Sequence, residues 1–313
     1  MVEGAERYGR HVDAEHTGEG GGREFRRVLE TLRSRMLDGT YPLNSLLPPQ
    51  RELALELDVS RDTVQRVLRE LSDEGWVRSR RGSGSKVIKT QRIQGTTPPP
   101  AEEPVMTLGR VIGSAFEQDE VTLDVCTLTS ESLGIHVRLL LDRIRAGQST
   151  APRSIDVRLM LPAESVPWPY PVNVADPADD RPRERLREIA RRSTATLEET
   201  LYELKSENFV TDVRLQIRHA PTVPDFKVYL LNKNRMLYGT YKAIRRKIRL
   251  STGESVDVVD VLGLDAALLY FSGDGGHAVD AYMVDDMQAW FDSRWELLTE
   301  EGVTAQGAAA PPA

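Results

Sequence analysis

The stretch from Pro49 to Lys89 leaves the chain little choice of local fold. Asp58-Val59-Ser60-Arg61-Asp62-Thr63-Val64 puts a serine where its hydroxyl caps a new helix, and Val64, Val67, Leu68 and Leu71 then recur at helical spacing on one face. Arg61, Thr63, Gln65, Arg66 and Arg69 are left for the other faces. Arg51 to Leu57 predicts an earlier helix whose Leu53 and Leu57 meet that apolar face. Two short helices joined by about four residues make a helix-turn-helix, whose second member suits a major groove. Beyond them, Gly75 to Arg81 and Lys86 to Lys89 flank Gly82-Ser83-Gly84-Ser85, a turn between two strand-like runs that predicts a basic wing.

Taken in order, Leu47-Pro48-Pro49-Gln50-Arg51-Glu52-Leu53-Ala54, Val59 to Val64, Leu71, Glu74-Gly75-Trp76 and Arg81-Gly82-Ser83-Gly84-Ser85 resemble the winged helix-turn-helix of the GntR family of bacterial transcription regulators. The resemblance covers roughly residues 23 to 90 and implies sequence-specific binding to double-stranded DNA. It implies that Ser60, Arg61, Thr63 and Gln65, with Arg66 beside them, address base edges and neighbouring phosphates. Arg51 and the wing residues Arg81 and Gly82 would hold the backbone or probe the minor groove. Family members usually act as homodimers on near-palindromic operators, more often as repressors. Two departures stand out. Pro49 and Gln50 occupy positions where the family usually has Ser and Glu, so the first helix lacks its usual serine cap, although proline suits a first turn. Gln65 stands where the family often has Arg, which turns the expected preference from guanine towards adenine.

Charge agrees with a split chain. The 313 residues carry a net charge of -7, yet Arg23 to Arg92 hold 15 Lys/Arg against 10 Asp/Glu. A basic module on an acidic body is what phosphate binding by one domain requires. The length implies two domains. Cys126 is the single cysteine, which excludes an internal disulfide framework. No apolar run reaches the ~20 residues of a membrane span, and Met1 to Gly22 is charged and Gly-rich, unlike a signal peptide. The expectation is a cytoplasmic protein with no membrane partner.

The resulting division is a disordered tail (1–22), a winged helix-turn-helix domain (23–91), a Pro-rich linker (92–104), an α/β effector or dimerisation domain (105–300) and a flexible tail (301–313). Phe25, Val28, Leu29, Leu32 and Met36 predict a support helix over Glu24 to Asp38. In the larger domain, strands are predicted around Val121–Val125, Ile155–Leu161, Val213–Ile217, Phe226–Leu230, Val256–Val261 and Ala266–Phe271. Helices are predicted at Leu133–Ile144, Leu186–Leu204 and Met287–Leu298. Lys242 to Arg249 reads as a basic segment without an element. The fold class is α+β multidomain, with a central sheet in the C-terminal α/β domain.

Chemistry is sparse in that domain. The family resemblance leaves two candidates for it, the small α/β ligand-binding domain similar to chorismate lyase and a phospholipase-D-like α/β domain. Its element order, with Arg218-His219-Ala220-Pro221 ahead of Phe226 and a Trp-bearing final helix, faintly resembles the second. Catalysis of that type needs His-x-Lys, and none of the five histidines has Lys two positions later. Ser272 to His277 reads as a plain turn, and His277 with Asp280, Asp285 and Asp286 as a solvated helix start rather than a metal site. No cofactor, metal or catalytic residue is assigned. Arg218, His219, Tyr229, Asn232, Tyr238 and Tyr241 are the candidates for an unidentified small-molecule effector, against an ordinary sheet face. The expected function is a DNA-binding transcriptional regulator, not an enzyme. Its rivals are a DNA-targeted phosphodiesterase and a partner-binding scaffold without ligand control.

Overall fold

A computed structural model describes residues 18–37, 40–42, 44–73, 76–80, 84–87, 93–95, 107–261, 263 and 266–301. The first module comprises α1 (Gly18–Leu37), α2 (Gln50–Glu56), α3 (Arg61–Asp73) and an antiparallel pair, β1 (Val77–Arg80) with β2 (Gly84–Val87). The stripe Val28, Leu29, Leu32 and Met36 is buried against Leu53, Leu57, Val64, Val67, Leu68, Leu71 and Trp76. Each such side chain contributes roughly 1.5–3 kcal/mol on leaving water, which explains why short helices hold here. The support helix starts at Gly18, inside the segment expected to be disordered. Once its stripe is packed, extending it by a turn costs little, because each added residue gains one hydrogen bond. Residues 1–17 and 302–313, the remainder of the expected tails, lie outside the described residues.

The body follows as β3 (Ile93–Gly95), α4 (Leu108–Ala115), β4 (Glu120–Cys126), α5 (Glu131–Arg145), β5 (Ser154–Pro162), β6 (Val172–Asn173) and α6 (Arg181–Ser206). It continues with β7 (Asp212–Ala220), β8 (Phe226–Leu231), β9 (Arg235–Thr240), β10 (Ala243–Arg249), β11 (Ser255–Val261), β12 (Leu268–Ser272), α7 (Ala278–Leu297) and β13 (Glu300–Glu301). Eight strands form one mixed sheet in the order β13-β7-β5-β4-β8-β9-β12-β3. β7, β5 and β4 are parallel, joined by crossover helices; β8, β9 and β12 extend the sheet antiparallel. Helices α4, α5 and α6 cover one face and α7 the other.

The expected linker therefore contributes a strand: β3 pairs in parallel with β12, Leu268 opposite Ile93. Its remaining residues, 92 and 96–104, are outside the described set. Besides the two-residue strands β6 and β13, three longer elements were not expected from the sequence. The apolar run Leu108, Val111, Ile112 and Ala115 is the buried face of α4, capped by Thr107, whose hydroxyl accepts the Arg110 N–H at 3.3 Å. β9 returns from β8 through Asn232 and Lys233, both at positive φ, where Asn is tolerated in the left-handed region. β10 hides its period because one of its inward positions, Arg246, is itself a cation, paired with Asp260. With β11 and β6 it forms a separate small sheet, so β11 is not part of the central sheet expected for it.

The two modules touch. Ile135 of α5 packs on the winged core, and Arg33 of α1 lies 3.4 Å from Glu131 at the start of α5, with its guanidinium 6.0 Å from the Trp76 ring.

Candidate nucleic-acid interface

The turn between α2 and α3 is built by local chemistry. Asp58 takes the left-handed conformation (φ 50°), and Arg27 of α1 donates to the Leu57 carbonyl at 2.7 Å, placing a cation at the C-terminal end of α2. α2 begins on Pro49, which offers no side-chain cap; its carbonyl instead accepts the Glu52 and Leu53 N–H groups at 2.8 and 3.0 Å. At the head of α3 the Ser60 hydroxyl accepts the Thr63 N–H at 3.1 Å and shares a hydrogen bond of 2.9 Å with the Thr63 hydroxyl.

That cap sorts the predicted contact residues. Thr63 is 6% exposed and turned into the cap, so it stabilises the helix start and does not face solvent. Arg61, Gln65, Arg66 and Arg69 are exposed on the outer surface of α3, and Arg51 is exposed on α2. The Arg66 guanidinium lies 5.1 Å from the Phe25 ring, which steadies it over α1. Among the described residues no carboxylate pairs with Arg51, Arg61, Arg66 or Arg69. Arg78 and Lys86 add exposed cations on β1 and β2. Arg81 and Gly82, the predicted tip of the wing, lie outside the described residues. A helix of roughly 10–12 Å diameter enters a B-DNA major groove of about 12 Å, and the unpaired guanidiniums on its outer face are the groups that bind phosphate or guanine edges.

The predicted ligand residues do not converge on one site. Arg218 donates to the Trp295 carbonyl at 2.8 Å and lies 4.9 Å from its ring, fastening the end of α7. Asn232 closes the β8–β9 turn: its Oδ1 accepts the Thr122 N–H at 2.9 Å and its Nδ2 donates to the Ala115 carbonyl at 3.0 Å. Tyr238 packs on Phe226, with ring centroids 5.1 Å apart. Tyr229 is 2% exposed in the core, where burial pushes its phenol upward against a hydrogen bond to Ser132. Tyr241 and His219 do line cavities, but different ones.

The larger cavity, about 310 Å³, lies at the C-terminal ends of β5 and β7 beneath α6. Leu161, Ile217 and Trp168 line it together with His219 and Glu198. The Glu164 carboxylate at its rim is held below its usual range, chiefly by hydrogen bonds from Arg191 at 2.6 and 2.7 Å. The smaller, about 90 Å³, lies at the seam between the modules, where Trp76 meets Tyr241, Arg246 and Lys227. Crevices beyond the carboxyl ends of parallel strands are where open α/β sheets take ligands. Glu198, Trp168 and Trp76 are not legible as cavity residues in the sequence, because strand ends and helix faces meet only after folding. Among the described residues no group of three or more His, Cys, Asp or Glu side chains is arranged to hold a metal, and no helix is long and apolar enough to cross a membrane.

Known proteins share the first module. The family described as "Bacterial regulatory proteins, gntR family" matches residues 25–87. An uncharacterized HTH-type transcriptional regulator of Mycobacterium tuberculosis is 37% identical over 83 residues, 26% of this chain and 34% of that protein. The Uxu operon transcriptional regulator of Escherichia coli is 35% identical over 79 residues, 25% of this chain and 31% of that one. The histidine utilization repressor of Pseudomonas putida is 29% identical over 132 residues, 42% of this chain and 49% of its own length. The chain thus spans about a third of the first two relatives and about half of the third.

Proposed function

We propose, from the premise that residues 25–87 are a GntR-family winged helix-turn-helix domain, that the whole chain is a DNA-binding transcriptional regulator. Its body senses a small molecule or holds two copies together. The observation that carries this reading is the outer face of α3, where Arg61, Gln65 and Arg69 stand exposed with no carboxylate partner among the described residues. Arg61 and Gln65 address base edges, and Arg51 and Arg66 the flanking phosphates. Ser60 and Thr63 act by fixing the start of the helix. The wing around Arg81 and Gly82 follows the backbone. A homodimer would set two copies of α3 about one DNA turn apart on a near-palindromic operator. Val279 and Tyr282, at 69% and 66% exposure on α7, are the apolar surface we assign to that contact.

The cavity of about 310 Å³ is the place we assign to an effector, since its size and amphipathic lining suit a small molecule. Repression is the mode we adopt.

Genome-wide occupancy of the full chain beside an Arg61→Ala variant tests the reading. A small set of discrete sites that vanish in the variant is the expected result. Identical occupancy by both proteins would overturn the assignment of α3.

A further inference from the structure

The basic segment Lys242 to Arg249 packs into the body by one face only. It folds as β10, an edge strand of the small sheet, and this strand runs beside α3. Its two faces differ sharply. Ile248 is buried with Val256 and Val258, Arg246 is locked to Asp260 at 2.8 Å, and both line the seam cavity with Trp76. The alternate positions, Arg245, Lys247 and Arg249, point to solvent, with exposed Lys242 just ahead of them. Arg245 and Lys242 have no carboxylate partner among the described residues. Lys247 has only Asp257, 3.9 Å away, with both side chains about two-thirds exposed, a separation and exposure at which an ion pair is weak.

A strand normally shows outward polar residues of mixed sign. Here register adds only Val259, Asp257 and Ser255 of β11 to the same face, so it stays net positive. Burying the inward positions needs none of these cations. Their common face matches a polyanion in charge, and the strand that carries it runs beside the proposed reading helix.

We infer that the outward face of β10, with Lys242, Arg245 and Lys247, is a second DNA-contacting surface that binds backbone phosphates flanking the sequence read by α3. This rests on the DNA-binding reading above. Cations without planar partners on a strand face carry no base code, so the contact adds affinity and footprint rather than sequence preference. The body thereby becomes part of the DNA-binding surface.

The test uses the full chain and duplexes selected by it from a random 30-bp library, either trimmed to the selected core or carrying 12-bp flanks. Affinity is measured across salt for wild type, the Lys242→Ala/Arg245→Ala/Lys247→Ala variant and Arg61→Ala. Every phosphate that the protein no longer neutralises lowers the log–log salt slope by about 0.9, so the triple variant should show a slope about 2.7 units smaller and bind about tenfold or more weakly at low salt on flanked duplexes. On trimmed duplexes it should match wild type, and the selected sequence should not change. All three positions are exposed, and a thermal melt checks that the variant folds. A wild-type slope in the triple variant, with binding still weakened by Arg61→Ala, overturns the second surface alone. If wild type selects no duplex at all, the DNA-binding reading falls and this inference with it.

Discussion

The arginines of α3 and those of β5 and α6 in the body are held in opposite ways. On α3, Arg61 and Arg69 are exposed with no carboxylate partner among the described residues, and Arg66 lies beside an aromatic ring. In the body, Arg158 of β5 donates to Asp124 at 2.6 and 2.5 Å and to Asp292 of α7 at 2.6 Å, while packing 5.1 Å from the Phe291 ring. Along α6, Arg183, Arg187 and Arg191 are each laced to Asp180, Glu184 or Glu164. One set of cations has been neutralised to hold the fold, and the other kept available. An unneutralised guanidinium contributes little to stability, so its chemistry is reserved for an external anion.

This contrast predicts a double dissociation. The largest effect should come from Arg158→Met, which leaves Asp124, 5% exposed, with Gln288 as its remaining side-chain partner. Stranding a buried carboxylate costs roughly 3–5 kcal/mol. Chemical denaturation should register that loss, and DNA affinity below the melting transition should be unchanged. A stability close to wild type would show that the body does not depend on its neutralised pairs.

His136 sharpens the same point from the side of titration. It is fully buried in α5, both ring nitrogens lack hydrogen-bond partners among the described residues, and burial, with Lys227 nearby, lowers its pKa to about 4. The unfolded chain, with a pKa of about 6.5, takes up the proton first, so stability is complete above that value. It should then fall as pH drops towards 4, by on the order of 3 kcal/mol. His136→Leu should remove that component and melt higher than wild type at pH 5. Parallel acid losses in both proteins would mean that other groups govern the acid side.

Arg61→Ala reverses the pattern seen for Arg158. It should weaken operator binding by about 1–3 kcal/mol, read by fluorescence anisotropy at fixed salt, while leaving the thermal midpoint in place. The smallest effect belongs to the surface ladder. Arg191→Ala removes its ion pairs to Glu164 and Glu184, which are about half exposed, and should cost less than about 1 kcal/mol, shrinking further in high salt.

How far these roles could be read beforehand differs between the regions for the same reason. The reading module is nearly all local: the Ser60 cap, the apolar spacing of α3 and the cations between those positions lie within fourteen consecutive residues, Asp58 to Leu71. Thr63 was the exception. Its burial follows from the hydroxyl it shares with Ser60, a side-chain geometry that spacing does not specify. In the body, the ligand candidates were drawn from neighbouring strands, yet strand alternation sent Tyr229 into the core beneath α5, while Arg218 turned to α7. Asn232, read as a ligand contact, is a turn residue tying positions 110 and 117 residues away.

By itself the sequence determined the winged module, the alternation of most strands and helices, and the charge split that singles out residues 23–92. These rest on periods of 2 and 3.6 residues and on caps, which act between near neighbours. Tertiary structure alone decided that β3 joins the sheet out of the linker, that β11 leaves it with β10, and that β10, with its cationic outward face, comes to rest beside α3. Those outcomes depend on which strand edges pair and which helices fill the remaining faces. Such choices minimise exposed apolar area over the whole chain, and no single stretch of residues encodes them.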